Sequence, residues 1–181
     1  MASFTSFLNR ISNWKTLVGL ILLFLIFPMV LFRNAMEKIN ALAGKEIGPI
    51  DLTFGFSPKR TLQMIEDYGD AGRAYYQHVE MSIDIIFPIV YAFLFAVLIT
   101  IIYRRLINGP VRHLNMLPVV VMFFDFLENF AIISLLKHYP EQSMLMASLC
   151  ELFKLLKWLM FGLIIFLVIY GLIKLLLKKQ D

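Results

Sequence analysis

Asp125, Glu128 and Asn129 stand in the middle of an apolar run, 117–136, and Lys154 and Lys157 stand inside another, 152–175. Acids and amines within helices that cross hydrocarbon cost roughly 2.5–3.5 kcal/mol each near the bilayer centre. A chain that carries several must pair them, hydrate them or use them. On a helix, Asp125, Glu128 and Asn129 fall at i, i+3 and i+4 and share one face. At about 1.5 Å of rise per residue, Lys157 and Lys154 come to nearly the levels of Asp125 and Glu128. Glu151 sits a turn higher, and Asp84 enters from the same end. Opposite charges ~4 Å apart in an effective dielectric near 20 attract by roughly 4 kcal/mol, enough to offset much of the insertion cost.

Three readings of this constellation are open. In the first, a buried salt-bridge network fixes helix register, which is weak evidence of net stability. In the second, the cluster faces a cavity and binds the polar part of a ligand or passes protons. In the third, the charges lie nearer an interface than the counting places them. The polar anchor expected from the spacing is Asp125, Glu128 and Lys157, with Asp84, Asn129 and Lys154 around it.

Other chemistries find less support. His78 and His138 fall near helix ends on one side and have no third ligand to complete a metal or haem site. His113 lies on the opposite side. The chain holds no His-Glu-x-x-His sequence, no nucleophile elbow and no glycine loop for phosphate. Neither a cofactor nor a metal is expected. The single cysteine, Cys150, excludes dithiol redox chemistry and disulfide-stapled outer loops; it reads as a small apolar residue. Phe123, Phe124, Phe126 and Phe130 read as packing and lipid contact.

The elements that must position these groups follow from composition. Of 181 residues 60% are hydrophobic, and the mean hydropathy is +0.76; soluble domains are about half apolar. Spans are expected at about 16–33, 82–104, 115–137 and 150–176, each long enough for ~30 Å of hydrocarbon. The alternation of a β-barrel is absent. The fold expected is an all-α membrane protein, a four-transmembrane-helix up-down bundle forming one domain. The first run is read as a retained span rather than a cleaved signal, because Arg33, Glu37 and Lys38 separate it from the nearest small-residue site.

Arg104, Arg105 and Arg112 occupy a connection without carboxylates, Lys174, Lys178 and Lys179 end the chain, and Arg10 and Lys15 precede the first span. The positive-inside rule then places both termini and the 104–116 connection in the cytoplasm, and 34–81 outside. The formal charge of +4 is modest, and nucleic acid is not an expected partner. Membrane lipids are, with a protein partner or a second copy as further candidates.

The 34–81 segment patterns as a folded helical lid. Residues 34–43 continue the first span and stop near Gly44, and 48–56 is irregular and apolar. Ser57 and Pro58 give an N-cap and a first helical residue. That helix runs to Asp67 and stops at Gly69, and Asp70 is placed to cap the next, which runs into the second span. Asn108-Gly109-Pro110 breaks the chain at one turn and His138 to Glu141 at the other. Pro28 and Pro88 free the carbonyls of Phe24 and Asp84, which in lipid need another partner or a cavity. Two kinks at matching depth would open the bundle outward; ordinary bending is the alternative. Gly162 and Gly171 would permit close helix approach.

DLTFGFSP (51–58), GRAYY (72–76), FDFLEN (124–129) and LLKWL (155–159), in that order, resemble a small four-span bacterial membrane-protein family to which no activity is attached. The resemblance covers most of the chain. It implies the same four-span organisation and points again to Asp125, Glu128, Asn129, Lys157 and Trp158. The function expected first is a non-catalytic subunit or binding module whose charged core orients the bundle around a lipid-like or small amphipathic ligand. An intramembrane enzyme acting on a lipid or isoprenoid, with Glu128 or Asp125 as acid/base, is the alternative, and a small proton-coupled transporter is another.

Overall fold

The computed structural model describes residues 2–106 and 114–178. The Asn108-Gly109-Pro110 turn, Arg112, His113 and Lys179 lie outside the described residues. The elements are α1 (Ala2–Ile11), α2 (Trp14–Ile26), α3 (Phe32–Ala43), α4 (Pro58–Asp67), α5 (Gly69–Tyr103), α6 (Leu117–Lys137) and α7 (Met144–Lys178), and no strand occurs among the described residues. A π-helical turn, Phe27–Leu31, joins α2 to α3 into one continuous rod. Four helical stretches are long and apolar enough to cross a membrane: Trp14–Ala43, Gly69–Tyr103, Leu114–Lys137 and Met144–Lys178. The chain is an all-α, multi-pass membrane bundle. Each stretch runs opposite to the one before, with α5 touching all the others.

Pro28 explains the π turn. Its missing N–H cannot close the helical bond to Phe24, so the Phe27 N–H takes the Phe24 carbonyl and the Phe32 N–H reaches back to Phe27. Pro88 acts differently. Helix α5 passes through it unbroken, and the carbonyl it frees is taken by a side chain of α6.

Helix α2 buries none of its residues. Leu22, Ile26 and Met29 face outward, as do Phe123 and Phe130 on α6 and Leu159, Phe166 and Leu176 on α7. In hydrocarbon such a surface needs no burial, so packing is decided by shape and polar contacts. Gly171 lets α7 lie close against α5: a Cβ there would lie 2.5 Å from Ile102 Cγ2. Beside it the Tyr103 hydroxyl donates to the Leu167 carbonyl at 3.0 Å. Nothing lies within 4 Å of the corresponding point at Gly162, so that glycine makes no close helix contact.

Helix α5 is 35 residues long, about 50 Å at 1.5 Å per residue, and so longer than the ~30 Å hydrocarbon layer. Its first turns form part of the lid. Gly44 ends α3 with φ of 69°, a left-handed conformation that glycine adopts without strain. Ser57 caps α4, accepting from the Arg60 N–H at 3.4 Å. Asp70 does not cap α5. Its carboxylate turns to Arg73 instead, because Arg73 is fixed by the Ile65 carbonyl at 3.1 Å and the face of the Tyr139 ring. Lys45 Nζ lies 2.7 Å from Asp67 Oδ1; this bond, helped by Gln63, holds the Asp67 carboxyl below its ordinary range. Lid residues Ile39, Ile50, Ile65 and Tyr68 share a core with Ile132, Leu135 and Cys150 of α6 and α7. The lid is therefore packed on the bundle.

The residues before the first span, which carry Arg10, form the helix α1. Leu8 of α1 is buried against Ala96 and Val97 of α5, and the Arg104 guanidinium donates to the Ser12 carbonyl at 2.8 Å.

Candidate functional site

Lys157 of α7 meets both acids of α6. Its Nζ is 2.5 Å from Glu128 Oε2 and 3.7 Å from Asp125 Oδ2. The i, i+3 spacing of the acids turns both carboxylates toward one point, and α7 delivers the ammonium there. Glu128 is wholly buried. The Tyr91 hydroxyl of α5 donates to Asp125 Oδ2 at 2.8 Å, so three helices meet at this carboxylate. Asn129, one turn along from Asp125, donates to the Asp84 carbonyl at 2.9 Å. Pro88 leaves that carbonyl without its helical N–H, and a buried carbonyl needs a partner.

Lys154 stands apart from this group. It was expected beside the acids of α6, and it turns instead to the lid. Its ammonium bonds Glu151 at 2.6 Å and the Thr53 hydroxyl at 2.6 Å. Glu151 in turn accepts from the Thr61 hydroxyl at 2.5 Å and the Ser57 N–H at 3.0 Å. The pair on α7 thus holds both the irregular segment and the start of α4. Trp158 adds a third tie, donating to the Asp51 carbonyl at 3.2 Å. A positive charge three residues from its own acid, under a folded lid, reaches the lid more readily than the neighbouring helix.

A cavity of about 490 Å³ opens beside the Lys157 cluster, within the ~300–1,000 Å³ range of small-molecule sites. Asp84, Asp125 and Lys157 line it, together with Glu80 and Asp51. Apart from Arg33, its remaining wall is apolar and aromatic. Phe87 is the hub: Phe24, Phe27, Phe32 and Tyr91 all place ring centroids 5.1–5.4 Å from it. Tyr91 continues to Phe161 at 6.0 Å, and Phe161 to Trp158 at 6.0 Å. Tyr76, Glu80, Asp84, Phe87 and Tyr91 follow one another at spacings of three or four residues, a single stripe of α5 facing the cavity.

Glu80, Tyr91 and Asp51 were not singled out from sequence. Glu80 falls just before the expected start of the second span, inside the 34–81 segment read as the lid. Its spacing of four from Asp84 was the signal available. His78 and His138 are both exposed, the latter with Nδ1 2.8 Å from the Ser134 carbonyl. Among the described residues no group of three or more His, Cys, Asp or Glu is arranged to hold a metal ion.

Fold and site together define a multi-pass α-helical membrane protein with an ion-paired, aromatic-walled cavity between its helices. No family model, curated protein or solved structure matches the chain.

Proposed function

We propose that the protein is a non-catalytic binding module that takes a lipid-like or small amphipathic molecule into this cavity. The observation that supports the reading most is the composition of the cavity lining. Carboxylates, one ammonium and one guanidinium line it together with a chain of aromatic rings. A site of this kind offers anchoring groups to a polar head and dispersion contacts to a tail. Helix α2, without a buried residue, is the thin wall on one side, so the surrounding bilayer is the natural source of the ligand. The arginines after α5 and the lysines at the end of α7 favour cytoplasmic termini and a lid on the outer side.

Native mass spectrometry of protein extracted gently from its own membrane tests this reading. A one-to-one amphiphile adduct is expected on the wild type, and it should be lost from Met36→Trp, which fills the cavity from α3. Equal adducts on both proteins, or none on the wild type, would contradict it.

A further inference from the structure

Charge in the cavity is unbalanced. Glu80, Asp84, Asp125 and Asp51 line it, and Lys157 and Arg33 are the cations of the lining. Lys157 is already shared between Asp125 and Glu128, and Arg33 is paired with Glu37 at an exposed position. No ion pair reaches Glu80 or Asp84 among the described residues, although both are buried, at 1% and 7% exposure. Glu80 Oε2 has no hydrogen-bond partner among those residues. Glu80 and Asp84 stand one turn apart on the cavity-facing stripe of α5, followed directly by Phe87 and Tyr91. Carboxylates beside aromatic faces are the arrangement that attracts an organic cation, through charge and through the ring quadrupole.

We propose that the amphiphile is a lipophilic amine or quaternary ammonium, with its cation between Glu80 and Asp84 against Phe87 and Tyr91 and its tail along Phe24, Phe32 and Phe161. This inference rests on the amphiphile reading above and narrows it. A fatty acid or phosphate head would meet uncompensated carboxylates and be repelled. A bare metal ion would need about six oxygen ligands and would leave most of the aromatic wall unused.

Trp158 lines the cavity, and the other tryptophan, Trp14, is exposed on α2. In a Trp14→Phe protein reconstituted in neutral-lipid nanodiscs, Trp158 alone reports contact with a brominated tail. The probes are bromododecyltrimethylammonium and its uncharged carbon isostere, in which a tert-butyl group replaces the trimethylammonium head. The ammonium compound should quench saturably, at a midpoint about tenfold or more below the isostere's, about 1.4 kcal/mol. Glu80→Gln/Asp84→Asn should bring that ratio close to one. Saturable quenching by both probes at the same midpoint in the wild-type cavity would overturn the cation assignment and leave the amphiphile reading standing. A ratio unchanged in a folded double variant would overturn the role of these two acids. Saturation by neither probe would overturn both readings.

Discussion

Asn129 Nδ2 donates to the Asp84 carbonyl at 2.9 Å, and that carbonyl is the one Pro88 leaves without its helical partner. The two positions are 45 residues apart on different helices, and each accounts for the other. Asn129→Leu should therefore destabilise the bundle by about 1–3 kcal/mol, the cost of an unsatisfied buried acceptor. Pro88→Ala restores the local N–H, so Asn129→Leu/Pro88→Ala should regain most of that loss. Thermal unfolding in detergent reads both, and a double variant no more stable than Asn129→Leu alone would break the link.

Lys157→Met leaves Asp125 and Glu128 buried without their cation, a change that costs roughly 3–5 kcal/mol when one partner of a buried pair is removed. Glu128→Gln/Lys157→Met removes the closer partner as well and should recover part of this. Asp125 keeps the Tyr91 hydroxyl but has lost its cation, so complete recovery is not expected. Measured stability of the two variants decides the point.

Glu151 fastens the lid through Ser57, Thr61 and Lys154. Glu151→Leu should raise amide exchange in residues 57–67 by about tenfold or more, given ~1.5–3 kcal/mol for hydrogen bonds to a charged group. Protection in the middle of α6 should stay as it was. Exchange followed by mass spectrometry in nanodiscs separates these segments.

Gly171→Leu would drive a side chain into Ile102 and Tyr103, with a cost of about 1–3 kcal/mol for overpacking. Gly162→Ala meets open space and should be neutral or stabilising by up to ~1 kcal/mol through helix propensity. Paired melting curves of the two variants check the contrast.

The spans were legible because each is a long apolar run, and the shared face of Asp125, Glu128 and Asn129 because helical spacing alone fixes it. The Ser57–Pro58 helix start was legible for the same local reason. What escaped depends on contacts between elements. Lys154 was set beside the acids of α6 by depth alone, whereas Glu151 one turn away on α7 and Thr53 of the lid folded over it are its partners. Glu80 was missed because a span boundary placed two residues after it moved it into the lid's charges. Asp70 was read as a cap because its type and position suit one, and Arg73 claimed it. The partner of the Asp84 carbonyl was foreseeable as a need, and its identity as Asn129 required the register between α5 and α6.

The ion-paired side of the cavity is built on Lys157 joining the acids of α6. Solid-state NMR of the protein in lipid, labelled with 15N at lysine Nζ and 13C at the Asp and Glu carboxyls, measures that proximity directly. Three sets of dephased carboxyl signals are expected, from Asp67 beside Lys45, from Glu151 beside Lys154, and from Glu128 and Asp125 beside Lys157, and Lys157→Met should abolish only the last. Dephasing identical in wild type and Lys157→Met would show that Lys157 does not meet these acids and would contradict the account.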